Sequence, residues 1–307
     1  MPCADHSPGY TQLSRSVMSV GNVNVDLSFY TNRFPEKDSE IEAEGFLVSH
    51  GGAAANFAVG VSRLGIDCGI VGCVGRDRFG KDAVDNLRDE GVWTGHVLEC
   101  DLETGTVGTI VERSGGTRTM IAWRGANKML LEAVRRAEIS GSRHIHISNV
   151  PREVLVEVMR QRGNAQVSFD PGGSAALYAP EDLKGVDFVF LNDSELRKIA
   201  RDGNREKKLL AVAGAVVVKQ GAKGVALYKG EVVLRFGAFR VDVIDTTGAG
   251  DAFDAGFVSA VLYGKGLEEA LRWGCATAAM KIQKKGARTG LPRLEELRSF
   301  LDRQTAQ

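Results

Sequence analysis

The stretch DTTGAGDAFDAGF, Asp245–Phe257, sets two acidic residues around Thr-Thr-Gly-Ala-Gly and runs at once into an apolar, helix-like segment. Gly248 and Gly250 flank only Ala249, so a ligand can approach the main chain closely there. The first N–H groups of a helix have no intrahelical partner, and the helix dipole favours an anion at that end. The pattern describes an anion cradle built from Gly248, Ala249 and Gly250, with one carboxylate, Asp251, inside it. A carboxylate beside a bound anion is repelled, so it needs a task. Taking the proton from an attacking hydroxyl is such a task.

Two common phosphate and nucleotide motifs are missing. GRDRFGKD (Gly75–Asp82) follows G-x-x-x-x-G-K, but Asp82 stands where a P-loop needs a hydroxyl for magnesium, and its charge would repel phosphate. No G-x-G-x-x-G follows a strand pattern. A second glycine turn, SHGGAAANFAVG (Ser49–Gly60), also runs into a helix. Gly51 and Gly52 let the backbone approach a ligand. Asn56 lies one turn in, to hydrogen-bond a hydroxyl or simply to face water. GNVNVD puts Asn22, Asn24 and Asp26 at period two on one face of a strand end. Such a face suits vicinal hydroxyls or, for Asn22, solvent. LNDSEL (Leu191–Leu196) places Asn192 and Glu195 three apart. Spacing alone favours a helix cap with Glu195 at its third position; a hydrated magnesium ion near phosphates is the alternative. His144 and His146 sit two apart on a strand with no third ligand in view, which favours structure over metal. Trp123 reads as packing rather than as a stacking platform.

These residues need a scaffold, and the chain's pattern supplies one. Strand-like runs (SVMSVGNVN over Ser16–Asn24, then CGIVGCV, HIHIS, QVSFD, DFVFLN and AVVVK) alternate with helical ones. The helical patterns cover Ala53–Gly65 and DRFGKDAVDNLRDEG, start again near Pro151, Asn192 and Arg205, and end with segments near 249–263, 267–284 and 293–303. Alternation of this kind predicts a mostly parallel α/β sheet with helices on both faces. Two stretches break the rhythm. Leu27–Ser49 and Thr104–Trp123 read as short strands, with ERSGGTRT as a hairpin turn. They predict a small β-sheet lid over the site, although edge strands of the main sheet would read the same way.

The chain has 307 residues, 43% hydrophobic and 25% charged, which suits one large domain over 17–303 after a polar N-terminal extension, 1–16. Lysine plus arginine equals aspartate plus glutamate at 39 each, so nothing points to nucleic acid and any anion site must be local. The apolar runs are too short to cross a bilayer. Five scattered cysteines without a C-x-x-C suit a reducing, cytoplasmic setting rather than a disulfide framework or zinc site.

Taken together, the segments resemble the ribokinase-like (PfkB-type) carbohydrate kinase family over nearly all of the chain after residue 16. The resemblance rests on GGAAANFAVGVSRLG, NDSE, VVVKQGAKGVALY (Val216–Tyr228), DTTGAGDAFDAGFVSAV and KKGARTGLP (Lys284–Pro292), which follow one another in that family's order. It implies an ATP- and magnesium-dependent kinase that phosphorylates a hydroxyl, usually primary, of a small sugar, polyol or nucleoside. Asp251 then resembles the catalytic base and Gly248–Asp251 the anion hole. Asn24, Asp26, Gly51, Gly52 and Asn56 resemble substrate contacts. Asn192, Lys219, Gly221, Gly224 and Cys275 fall beside the nucleotide, and Glu195 resembles a water-mediated magnesium ligand. The likeness thus turns NDSE from a cap toward magnesium, with Asn192 able to serve both. Asp245 and Thr247 resemble ligands of a monovalent cation, potassium. The inserted strands match the family's lid, through which a homodimer is expected.

Some positions depart from ribokinase itself: Ala53-Ala54 for Lys-Gly, Cys275 for asparagine, and Ser148-Asn149 where it has a sugar-binding glutamate. Ribose is therefore not singled out. Arg124, in MIAWRGAN, falls where kinases of 2-keto-3-deoxygluconate carry an arginine for the substrate carboxylate, but FDPGGS lacks their second arginine. An acidic-sugar kinase is the alternative enzyme. A non-catalytic sugar-binding protein on the same fold is the other, against which the retained Asp251 argues.

Overall fold

Strands such as Val17–Gly21, Cys68–Gly75 and Ala215–Lys219 are apolar at successive positions because both of their faces are covered. The computed structural model describes residues 15–112, 117–201 and 203–305. The predicted extension therefore lies almost wholly outside the described residues, as does the tip of the predicted hairpin. In chain order the elements are β1 (Val17–Gly21), β2 (Asn24–Thr31), β3 (Gly45–Gly51), α1 (Ala53–Arg63), β4 (Cys68–Gly75), α2 (Arg78–Asp89), β5 (Trp93–Cys100), β6 (Gly105–Glu112) and β7 (Thr117–Trp123). They continue with α3 (Leu130–Arg136), β8 (His144–Ser148), α4 (Arg152–Gln161), β9 (Gln166–Asp170), β10 (Phe188–Asn192), α5 (Asp193–Ile199) and α6 (Arg205–Leu210). The remainder are β11 (Ala215–Lys219), β12 (Val225–Lys229), β13 (Val232–Phe236), α7 (Ala249–Leu262), α8 (Leu267–Lys281) and α9 (Leu294–Thr305).

Nine strands form the main sheet in the order β13-β12-β11-β10-β9-β8-β1-β4-β5. All neighbours from β11 to β5 are parallel, while β12 and β13 are antiparallel. Alternate residues of one strand serve opposite cores. Phe188 and Phe190 join Phe57, Phe253, Phe257 and Leu271 on one face, with α1, α2, α7, α8 and α9. Val189 and Leu191 join Leu130, Leu155 and Leu209 on the other, with α3, α4, α5 and α6. The helices over both faces are the layered arrangement that the alternating pattern predicts. Among the described residues no helix is long and apolar enough to cross a membrane.

Four strands form a second sheet in the order β3-β2-β6-β7. These are the inserted strands of the sequence, and they make a sheet of their own rather than edges of the main one. Glu112 pairs with Thr117 across β6 and β7, on either side of the hairpin tip. One expectation is corrected here. Ser16–Asn24 is not a single strand: β1 ends at Gly21, and β2 starts at Asn24 in the other sheet. The crossing is held by Asn127, whose Oδ1 accepts from the Val23 N–H at 3.1 Å and whose Nδ2 donates to the Val23 carbonyl at 3.3 Å. A side chain thus satisfies backbone groups that a neighbouring strand would otherwise satisfy. Asn22 is left between the strands, not on the face carrying Asn24 and Asp26.

Candidate active site

The glycine turn before α7 is where the sequence places it. Gly248 precedes α7 in the left-handed region, at φ 73°, and a Cβ there would lie 2.9 Å from the Ala287 carbonyl oxygen. No side chain caps the helix; the Ala249 N–H donates to the Thr246 carbonyl at 3.2 Å, which leaves the N–H groups of Gly250 and Asp251 for an external acceptor. Asp251 lies in this first turn and keeps partial exposure. Asn56 Nδ2, on α1, donates to Asp251 Oδ2 at 2.8 Å, and Asn56 Oδ1 accepts from Arg288 Nε at 2.8 Å. Arg288 is fixed in turn by Asn86 Oδ1 at 2.8 Å and the Gly51 carbonyl at 2.7 Å. Burial pushes the Asp251 carboxyl up to about 6, against the Asn56 hydrogen bond and the nearby cations. A carboxylate poised there can accept a proton near neutral pH and is more basic than an ordinary one.

Two cavities meet beside the cradle. The larger, about 960 Å³, is walled by Gly248, Ala249, Gly250 and Asp251, and by Asn192, Glu195, Lys219, Gly221, Gly224 and Cys275. The smaller, about 440 Å³, lies under the four-stranded sheet and is walled by Asn24, Asp26, Gly52, Asp245 and Thr247. Ala53, Met120, Val243 and Thr246 belong to both. Burial pushes Asp26 up to about 6 as well, with Arg288 opposing. A Cβ on Gly51 would lie 2.3 Å from Asp26 Oδ2, so a larger residue there would push that carboxylate aside. Gly51 and Asn56 stand behind the walls, and Asn56 supports the base rather than lining the acceptor side.

Arg124 is corrected. It is exposed at the end of β7 and lines neither cavity. Arg118, which the sequence reading passed over, lines the smaller cavity instead. Its guanidinium donates to the Thr246 and Thr247 hydroxyls and lies 3.6 Å from Asp245 Oδ1.

At the floor of the larger cavity Lys219 Nζ reaches Asp170 Oδ2 at 2.6 Å and Asp254 Oδ1 at 3.1 Å. Burial lowers its proton affinity, but the two carboxylates more than offset this and hold it charged. A Cβ on Gly250 would lie 3.3 Å from that ammonium, so the cation sits directly behind the cradle. Gly224, at φ 93°, packs so that a Cβ would meet the Phe236 carbonyl at 2.0 Å. Burial pushes the Cys275 thiol up to about 12, which keeps it neutral. Asn192 and Glu195 form a reciprocal cap: Asn192 Oδ1 accepts from the Ser194 and Glu195 N–H groups, and Glu195 Oε2 accepts from the Asn192 N–H at 2.8 Å. His144 and His146 share the Ser168 hydroxyl in the core, at 2.7 and 2.8 Å, and burial holds both near 3, hence neutral.

Magnesium fits this floor. Glu195 and Asp170 bring carboxylates to the wall that also carries the cradle, and no cluster of three such ligands exists among the described residues. A hydrated ion shared with phosphate oxygens suits such a site. A monovalent cation does not fit Asp245 and Thr247. Both Asp245 carboxylate oxygens accept backbone N–H groups, from Thr247 and Gly286, at 2.9 Å each. Its carbonyl accepts from Lys281 Nζ at 2.8 Å, and Arg118 takes the Thr247 hydroxyl. The Asp245 oxygens and the Thr247 hydroxyl thus each already face a donor, and two of those donors are charged.

Asp254 was within reach of sequence reasoning, three residues after Asp251 on one helix face. Asp170 was too, at the carboxyl end of a parallel strand, where ligands gather. Asn149 lines the larger cavity at φ 53°, with a buried Oδ1 that meets no protein donor among the described residues. No spacing rule points to it, nor to Arg288, Arg118 or Lys281.

A model of the pfkB family carbohydrate kinases matches residues 14–294. A ribokinase of Haemophilus influenzae is 28% identical over 308 aligned residues, covering 94% of this chain and 99% of that one. A nucleoside kinase of Methanocaldococcus jannaschii is 29% identical, covering 94% and 97%. The solved structure of Arabidopsis thaliana ribokinase complexed with ribose and ATP superposes with a TM-score of 0.82 at 27% identity, covering 94% and 99%.

Proposed function

The chain belongs to the pfkB family of carbohydrate kinases and is a sugar or nucleoside kinase, and from that premise we propose that it transfers the terminal phosphoryl group of ATP to a primary hydroxyl of a small neutral sugar, polyol or nucleoside. The observation that carries this reading is Asp251, a carboxylate raised to about 6 in the first turn of α7, lining a cavity of nucleotide size that shares walls with a smaller polar one.

The acceptor lies in the smaller cavity, with Asp26 accepting from its hydroxyls and Asn24, whose Oδ1 already takes the Asn127 Nδ2 at 2.8 Å, donating through its own Nδ2. Asp251 takes the proton of the attacking hydroxyl as that oxygen bonds to the terminal phosphorus and the bond to the ADP oxygen breaks. The α7 N–H groups, backed by Lys219, stabilise the charge spread over the phosphoryl oxygens. Glu195 and Asp170 would hold magnesium through water, and the ion when bound neutralises phosphate charge. The apolar wall at Phe253, Cys275 and Ala278 suits a nucleobase. The four-stranded sheet acts as a lid that excludes water, and Arg118 joins it to the Thr246-Thr247 loop. Potassium has no place in this reading, because the residues expected to bind it are already engaged.

The acidic-sugar alternative depended on Arg124, which lines neither cavity. A second copy of the chain is the proposed partner, docked on the lid's outer face, where Phe46, Ile121 and Trp123 are exposed. Cys68, Cys73, Cys100 and Cys275 are free thiols, which suits the cytoplasm. ATP consumption measured against pentoses, hexoses, nucleosides, inositol and sugar acids tests the substrate class. A neutral acceptor is expected to give the highest kcat/KM; turnover confined to sugar acids would reject it.

A further inference from the structure

Lys281 ends α8 and has no exposed surface. Lysine is almost never fully buried unless its charge is matched. Its Nζ donates to the Asp245 carbonyl oxygen at 2.8 Å. That carbonyl opens the Asp245–Gly248 loop, which leads into the cradle. The chain beyond α8 closes on the same point. The Ile282 carbonyl accepts from the Ile244 and Asp245 N–H groups at 2.8 and 3.0 Å, and the Gly286 N–H donates to Asp245 Oδ2. Gly290 lies against the Lys281 main chain, where a Cβ would come within 2.3 Å of the carbonyl oxygen. One ammonium group therefore sits where the loop before the cradle meets the segment that walls it at Ala287. Burial lowers its proton affinity; the charges it faces are Asp245 and Asp251, which favour the ammonium, and Arg118, which opposes it.

We propose that Lys281 is a built-in cation under the anion cradle, holding the Asp245–Gly248 loop in the place where a bound monovalent ion would otherwise be required. The inference rests on the kinase reading for what the cradle holds. A tethered ammonium is present at every salt composition, whereas a bound ion is present only above its dissociation constant. Its carbon stem fills the space beneath the loop, and its head supplies the positive charge that draws a carbonyl dipole and two carboxylates inward. Lys281 touches neither acceptor nor phosphate in this arrangement. It is a positioning residue, acting through the loop that aims the α7 N–H groups.

The test measures magnesium–ADP affinity by calorimetry, and melting midpoint, in potassium, ammonium, lithium and tetramethylammonium chlorides at one ionic strength. Neither readout needs the acceptor to be known. Wild-type affinity is expected to vary by less than about twofold across the four salts. Lys281→Ala, which empties an ion-sized space beside the Asp245 carbonyl, is expected to bind ADP roughly tenfold more weakly in tetramethylammonium, the scale of one lost charged hydrogen bond. Potassium or ammonium should restore most of that loss. Lys281→Met keeps the stem without the charge and serves if the alanine variant does not fold. Strengthening of wild-type affinity by potassium would overturn the proposal. So would a variant that binds like wild type in every salt, or one whose loss no monovalent cation repairs. Failure of the wild type to bind ADP in any salt would count against the kinase reading instead.

Discussion

Asp251 and Asp26 are carboxyls that burial makes reluctant to ionise, and both stand near 6 with Arg288 as a common neighbour. A base and a hydroxyl acceptor both need the anion, so kcat/KM is expected to fall as pH drops through about 6, with a steepness of up to two protons. The Asn56 hydrogen bond favours the charged form of Asp251. Asn56→Ala should therefore shift the acid limb to higher pH, and a limb that stays put would remove Asn56 from the base's support. The same displacement affects stability. Above pH 6 the folded state carries Asp251 as a disfavoured anion; below its ordinary value of 3.8 the group is neutral in both states and the cost vanishes. The gap between 3.8 and about 6 corresponds to roughly 3 kcal/mol at most. Asp251→Asn is thus expected to be more stable than wild type at pH 8, by up to that amount, with the gain shrinking as pH falls from 6 toward 4. Denaturant unfolding at two pH values reads this directly.

Among the elements, α7 was the most legible. Its glycines, its acidic first turn and its apolar run are all local, and local chemistry survives in a linear reading. The β1–β2 junction was not, because apolar residues run on without a break while the chain changes sheets, and Asn127 supplies the missing pairing from 104 residues away. The second sheet was legible as strands, and its register explains which arginine matters. Asp26, Ser49 and Val107 share one row, and Arg118 shares the row of Tyr30 and Val111, all lining the smaller cavity. Arg124 lies just past the end of β7, so the pleat no longer sets its direction. Arg118→Ala is expected to raise the acceptor KM about five- to tenfold, near 1 kcal/mol for a partly exposed contact, with a smaller effect on kcat. Arg124→Ala should stay within about twofold, as for a surface position. The opposite ranking would mean that the acceptor cavity has been assigned to the wrong residues.

For the molecule as a whole, α7 carries Asp251 and the main-sheet strand ends carry Asp170, Asn192 and Lys219, while the small sheet carries Asn24, Asp26 and Arg118, so the proposed acceptor site is assembled between the two sheets. What the sequence hid is this assembly: Arg288 to Asn56 spans 232 residues, Lys219 to Asp170 49, and Lys281 to Asp245 36. No periodicity records such distances. The outer face of the small sheet leaves Phe29, Phe46, Val48, Ile121 and Trp123 exposed on one side, with Ile121 at 76%. A patch of that kind marks an interaction surface. Light scattering should give twice the chain mass for the wild type, and Ile121→Lys should lower it toward one chain; a monomeric wild type would rule out the lid-mediated dimer. The central claim is that Asp251 is the base of phosphoryl transfer. Its most direct test is turnover by Asp251→Asn on whichever acceptor the wild type phosphorylates, alongside ADP and acceptor affinity. We expect kcat to fall by about 10²–10⁴-fold with both affinities nearly unchanged; a variant that turns over at close to the wild-type rate would contradict the claim.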